Sequence, residues 1–231
     1  MLRVGAFLLR PSATRRTSRR VGTSRKPRLR GLLHQYAFFA SVPALVVLVS
    51  ASPTRRAAEA ATAYGLSLVL LFGVSTLFHR VDWSIRARRW MGRLDHAMIN
   101  VLIAGTFAPF ALVLSSTVAT VSLVIVWAGA LCSTVIHALW IDDVPKRLST
   151  ALYLALGWSA MATMPELVTV FGWLATGLFA LGGALYTAGA AVYAFRRPDP
   201  APGVFGYHEV FHALVVAAAA THYAAVAITI L

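Results

Sequence analysis

The chain has 231 residues, of which 58% are hydrophobic and only 13% charged. Its mean hydropathy is +0.71, more apolar surface than a soluble fold can hide. The formal net charge of +13 would suit a nucleic-acid partner, but ten of the 21 Lys and Arg lie in the first 30 residues and most others fall between apolar stretches. That placement follows from orientation across a bilayer and from attraction to anionic lipid, so nucleic acid is excluded.

Residues 1–31 carry ten basic and no acidic side chains and are rich in Arg and Ser. Their composition resembles a transit peptide. Position favours a disordered cytoplasmic tail lying on anionic headgroups. The single cysteine, Cys132, rules out an intrachain disulfide. Beyond the tail, residues 32–231 form one transmembrane domain with seven apolar spans, at about 33–52, 59–79, 94–115, 119–140, 148–164, 170–194 and 208–230. Each approaches the roughly 20 residues needed to cross the hydrocarbon core as a helix. The fifth is short and ends at Pro165.

Positive charge orients the bundle. With the N-terminus inside, the tail and segments 80–93, 141–147 and 195–207 hold 10, 5, 2 and 2 basic residues, against only Arg55 and Arg56 outside. This bias predicts an all-α, multi-pass protein of the cell membrane with a cytoplasmic N-terminus and an outer C-terminus. It also supports the count of seven, because dropping a span would move later basic residues to the wrong side.

Ionisable groups inside a membrane helix are costly and call for a partner or a task. The second span ends in "VSTLFHR", with Ser75 and His79 one turn apart on one face. The third begins "LDHAMIN", with Asp95 and His96 in its first turn. The seventh opens on "HEVFH", with His208 and His212 again one turn apart. Given the orientation, His79, Asp95, His208 and His212 share one depth near the cytoplasmic face. Three imidazoles with a nearby carboxylate suit a zinc-like ion that keeps a position open for water. Asp95 would then accept a hydrogen bond from water or act as a base, and Ser75 would orient a ligand or bind substrate.

The remaining histidines, His34, His96, His137 and His222, read as interfacial or hydrogen-bonded side chains. His222 lies about 15 Å beyond His212 at 1.5 Å per residue, too deep to join the set. The string His208-Glu209-Val210-Phe211-His212 also spells the zinc-protease signature H-E-x-x-H. It begins 24 residues from the end of the sequence, with no acidic residue after Glu209. It therefore reads as a histidine pair, with Glu209 about 100° away on the helix and placed to stabilise the helix N-terminus.

Together "STLFH", "LDHAMINVLIAGTFAPF" and "HEVFHALVVAAAATHYAAV" resemble the haemolysin III family. That family belongs with the adiponectin and progestin receptors in one seven-helix superfamily, more distantly related to alkaline ceramidases. The resemblance covers residues 32–231. It implies one Zn2+ held by His79, His208 and His212, a water held by Asp95, and a polar site completed by Ser75. It further implies hydrolysis of ceramide-like lipid amides as the enzymatic expectation. The family name points instead to membrane disruption or pore formation, and the receptor relatives to a non-catalytic protein with a structural zinc.

Overall fold

The computed structural model describes residues 26–114, 116–140 and 146–231. These form seven α-helices and no strand: α1 (Leu32–Ser50), α2 (Arg55–Arg80), α3 (Ile85–Leu114), α4 (Thr117–Trp140), α5 (Lys146–Trp158), α6 (Met164–Phe195) and α7 (Tyr207–Ile230). Of the expected tail, residues 1–25 lie outside the described residues.

Six continuous helical stretches are long and apolar enough to cross a bilayer. The fifth of them, Leu148–Phe195, runs through α5, a 3-10 turn (Ser159–Thr163) and α6. Its 48 residues would extend about 72 Å if straight, more than twice the hydrocarbon thickness. The chain folds back instead. The Trp158 indole N–H donates to the Thr187 hydroxyl at 3.1 Å, whereas a straight helix would hold these residues about 44 Å apart. The break lies at Gly172, whose φ of 76° is open to glycine without strain. The connection expected after Pro165 is thus itself helical. Pro165 sits in the first turn of α6, where its missing N–H costs nothing.

Buried residues concentrate on α2, α3 and α7, with Tyr64, Leu68, Phe107, Phe110 and Val226 among the most enclosed. Tyr36, Phe39 and Val46 of α1, Val124 and Leu131 of α4, and Trp173 and Leu174 of α6 are exposed. In a bilayer those faces meet acyl chains, and the protein is a multi-pass membrane protein. Since lipid is as apolar as the core, close packing and interhelical hydrogen bonds hold the bundle together. Tyr223 of α7 donates to the Ala44 carbonyl of α1 at 2.9 Å, and Asn100 of α3 donates to Thr134 of α4 at 3.1 Å.

The bundle's two ends differ. At one end Ser116, before α4, donates to Glu166 of α6 at 2.6 Å. At the other, where most of the basic residues gather, the segment before α1 meets the α6–α7 loop. The N–H groups of Arg28 and Leu29 donate to the carbonyls of Gly203 and Val204 at 3.2 and 3.1 Å. Lys26 reaches Asp82 at 3.5 Å. The expected tail boundary at residue 31 therefore falls just after a segment packed against the bundle.

Candidate metal centre

The site rests on how α7 begins. Its first N–H groups have no intrahelical acceptor and need outside partners. The Asp199 carboxylate accepts from Tyr207 N–H at 2.8 Å, and Glu209 accepts from Gly206 N–H at 2.8 Å. The other Glu209 oxygen pairs with Arg30 Nε at 2.6 Å, and Glu209 is buried. Both carboxylate oxygens are thus committed to the start of α7 and to the segment before α1. Glu209 holds the histidine-bearing turn in place.

That anchoring points His208 and His212 toward α2. One ligand atom from each of His79, His208 and His212 lies within 4.8 Å of the other two. The Nε2 atoms of His208 and His79 are 3.2 Å apart. Two imidazole nitrogens at about 2.0–2.1 Å from one tetrahedral ion would stand about 3.3–3.4 Å apart, so this spacing fits the donor set. The three side chains are positioned to hold a metal ion.

Asp95 completes the polar rim, its carboxylate 3.9 Å from His79 Nε2. Ser75 is buried one turn before His79. Its hydroxyl lies 2.8 Å from His34 Nδ1 and also faces the Asp95 carboxyl group. All five expected residues therefore converge, with Ser75 linking His34 to Asp95 rather than touching the triad's nitrogens.

His34 is the residue that sequence reasoning passed over. It is hydrogen-bonded, as expected of a lone histidine, but its ring also stacks on His212 at 3.7 Å with only 4° between planes. Its shared depth was the available signal, since α1 offers it no second histidine one turn away. Gly31 makes this approach possible. With φ of 78°, a Cβ there would lie 2.6 Å from the His79 Cβ, too close for any other residue.

The other histidines stand apart from the triad. His96 bonds the Gly92 carbonyl at 2.8 Å. His137 Nδ1–H donates to the Ser133 carbonyl at 2.7 Å, which leaves Nε2 to accept from the Tyr153 hydroxyl at 3.1 Å. His222 Nε2–H donates to the Phe179 carbonyl at 2.9 Å, deep in the bundle. All three line the same cavity as the triad.

That cavity holds about 490 Å³, within the range of small-molecule sites. The triad, Asp95 and Ser75 lie at the end nearest Arg30 and Arg88, and Leu71, Leu102, Phe107, Leu154 and Val215 are among its apolar walls. The arrangement brings three candidate metal-binding histidines and a carboxylate to the head of a largely apolar chamber.

Comparison with known proteins identifies the family. The sequence model of the family described as "Haemolysin-III related" matches residues 23–223. The chain is 31% identical over 196 residues to the hemolysin-3 homolog of Bacillus subtilis (strain 168), covering 82% of this chain and 87% of that protein. It is 30% identical over 170 residues to hemolysin-3 of Bacillus cereus, covering 72% and 77%. It is 28% identical over 179 residues to the adiponectin receptor protein of Drosophila melanogaster, covering 70% of this chain but 40% of that one. The matched region begins before α1 and so takes in Arg30, Gly31 and His34 as well as the triad: the chain belongs to the haemolysin III family.

Proposed function

We propose that this protein is a zinc-dependent hydrolase of lipid amides, working at the cytoplasmic end of its membrane cavity. One observation carries the reading: three clustered imidazoles and the Asp95 carboxylate sit at the head of an apolar chamber. When bound by His79, His208 and His212, zinc polarises a carbonyl and brings the pKa of a water to about 7. The chain's own residues supply the rest. Asp95 takes a proton from the attacking water as its oxygen joins the amide carbon, and returns that proton to the nitrogen as the C–N bond breaks. The products are a fatty acid and an amine. Ser75 holds Asp95 on one side and His34 on the other, and the apolar walls receive the acyl chain. The basic tail, residues 1–31, holds this end of the bundle against anionic lipid.

The test is fatty-acid release by purified, zinc-loaded protein in its native lipids across a panel of N-acyl lipids. Release that His208→Ala abolishes is the expected result. No release by the wild type from any amide in the panel overturns the assignment.

The names of the Bacillus relatives favour a second, lytic reading. Planar-bilayer recordings separate the two, since conductance from metal-stripped protein belongs to a pore. The Drosophila relative's name suggests a receptor; if this chain were a non-catalytic receptor with a structural zinc, a fully protein-ligated, water-free ion would be the signature.

A further inference from the structure

Three cations stand around the triad end of the chamber. Lys26, Arg30 and Arg88 all line it, and the charge of each acts on the His79 ring. Arg30 precedes Gly31, where a Cβ would collide with His79. Arg88 lies over the Phe78 ring at 5.1 Å, and that ring stands 4.8 Å from the His79 ring. Lys26 and Arg88 are exposed, whereas His79 is buried. Residues that both line the chamber and reach solvent mark a mouth open to water, just outside the three histidines.

Orientation across the bilayer does not require this placement. Positive charge anywhere in residues 80–93 serves the inside bias. Yet of Arg80, Arg86, Arg88, Arg89 and Arg93, only Arg88 lines the chamber. Lys26 faces Asp82 at 3.5 Å, and Arg30 gives its Nε to Glu209. Arg88 forms no ion pair among the described residues. Its contact with Phe78 uses the ring face and occupies none of its N–H donors. A guanidinium held this way presents a planar fork that matches a carboxylate or phosphate. Among the described residues, Asp95 alone brings negative charge to the chamber lining, and it lies inward against His79.

The direction of a bound lipid says which part of it meets these cations. With the acyl chain along the apolar walls and the amide at the triad, the amine portion points outward past Arg30 and Arg88. Charges at the rim of a low-dielectric cleft concentrate their field there, which favours an anion.

We propose that Arg88, with Arg30 and Lys26 beside it, forms an anion subsite for the amine portion of the substrate. The protein then selects N-acyl lipids whose amine bears a carboxylate or phosphate over neutral ones. The proposal rests on the hydrolase reading for the direction in which the lipid lies.

The experiment measures equilibrium binding to full-length, zinc-loaded protein in phosphatidylcholine nanodiscs, using sulfonamide analogues that resist hydrolysis. All three carry an octadecyl chain, joined to glycine, to ethanolamine or to O-phosphoethanolamine. At least one anionic analogue should bind roughly tenfold tighter than the neutral one, as expected for one hydrogen bond between charged groups. The tighter of the two identifies the anion as carboxylate or phosphate. The preference should weaken as salt is raised. Arg88→Gln should shrink it below about threefold. Arg86→Gln removes the same charge from the same helix but outside the chamber lining, and should leave the preference intact. Equal affinity for all three analogues, a preference that survives Arg88→Gln, or an equal loss in both variants would each overturn the subsite. So would failure of all three to bind. Fatty-acid release across the N-acyl panel decides the hydrolase reading separately, because the sulfonamides report binding without turnover.

Discussion

The two halves of α2 face the same neighbours with opposite chemistry. Its first half buries Ala57, Ala60, Ala61, Tyr64 and Gly65, mostly small residues that let α3 and α7 approach closely. Its second half, beyond Leu68, Leu71 and Phe72, also buries the polar Ser75 and His79. The first set fills space, and the second leaves space edged with donors. Packing in lipid comes from close contact rather than from exclusion of water. The first half therefore carries the fold, while the second half spends packing on a chamber.

The strongest way to break this contrast is to exchange its consequences. His79→Ala should abolish stoichiometric zinc, read by elemental analysis of purified protein, with little change in thermal stability of the metal-free form. Phe110→Ala, in the packed region of α3, should do the reverse. It should cost up to about 3–5 kcal/mol of stability while the folded fraction keeps one metal per chain. If both substitutions lower metal and stability in parallel, the halves are not separable.

Glu209→Gln sharpens the boundary. The amide can still accept from Gly206 N–H, but Arg30 loses its ionic partner. Removing one partner of a buried ion pair costs about 3–5 kcal/mol, and the loss here should fall below that because Arg30 is partly exposed. Metal should still bind, more weakly, because the turn bearing His208 loosens. Loss of hydrolysis with zinc content and stability both intact would instead make Glu209 part of the chemistry. The smallest effect belongs to Arg55→Ala at the outer rim. The Arg55–Glu59 pair, 2.9 Å apart on the exposed start of α2, should contribute no more than about 0.5 kcal/mol by thermal melting.

The site was more legible in the sequence than the path of the chain. Spacing alone put Ser75 with His79 and His208 with His212, and orientation placed both pairs and Asp95 at one depth. Glu209 was readable as a helix-start residue because negative charge belongs there, although its pairing with Arg30 was not. His34 was missed because its partners, Ser75 and His212, lie far along the chain, and a lone histidine carries no periodic signal. The connection after α5 was misread because Pro165 marks a stop and a start equally well. Only the backbone shows that the chain turns at Gly172 instead. Residues 26–31 look like the end of a basic tail by composition, yet Arg30 and Gly31 support the site through one ion pair and one missing side chain.

The 3.2 Å approach of His79 to His208 joins residues 129 positions apart. At about 5–20 residues per second, a ribosome delivers the second imidazole roughly 6–26 s after the first. Throughout that interval α2 carries one of the three imidazoles while the other two are still to come with α7. On the proposed reading, metal capture would report on insertion of the final helix. A nascent bundle still lacking α7 has no complete set of ligands with which to begin that chemistry.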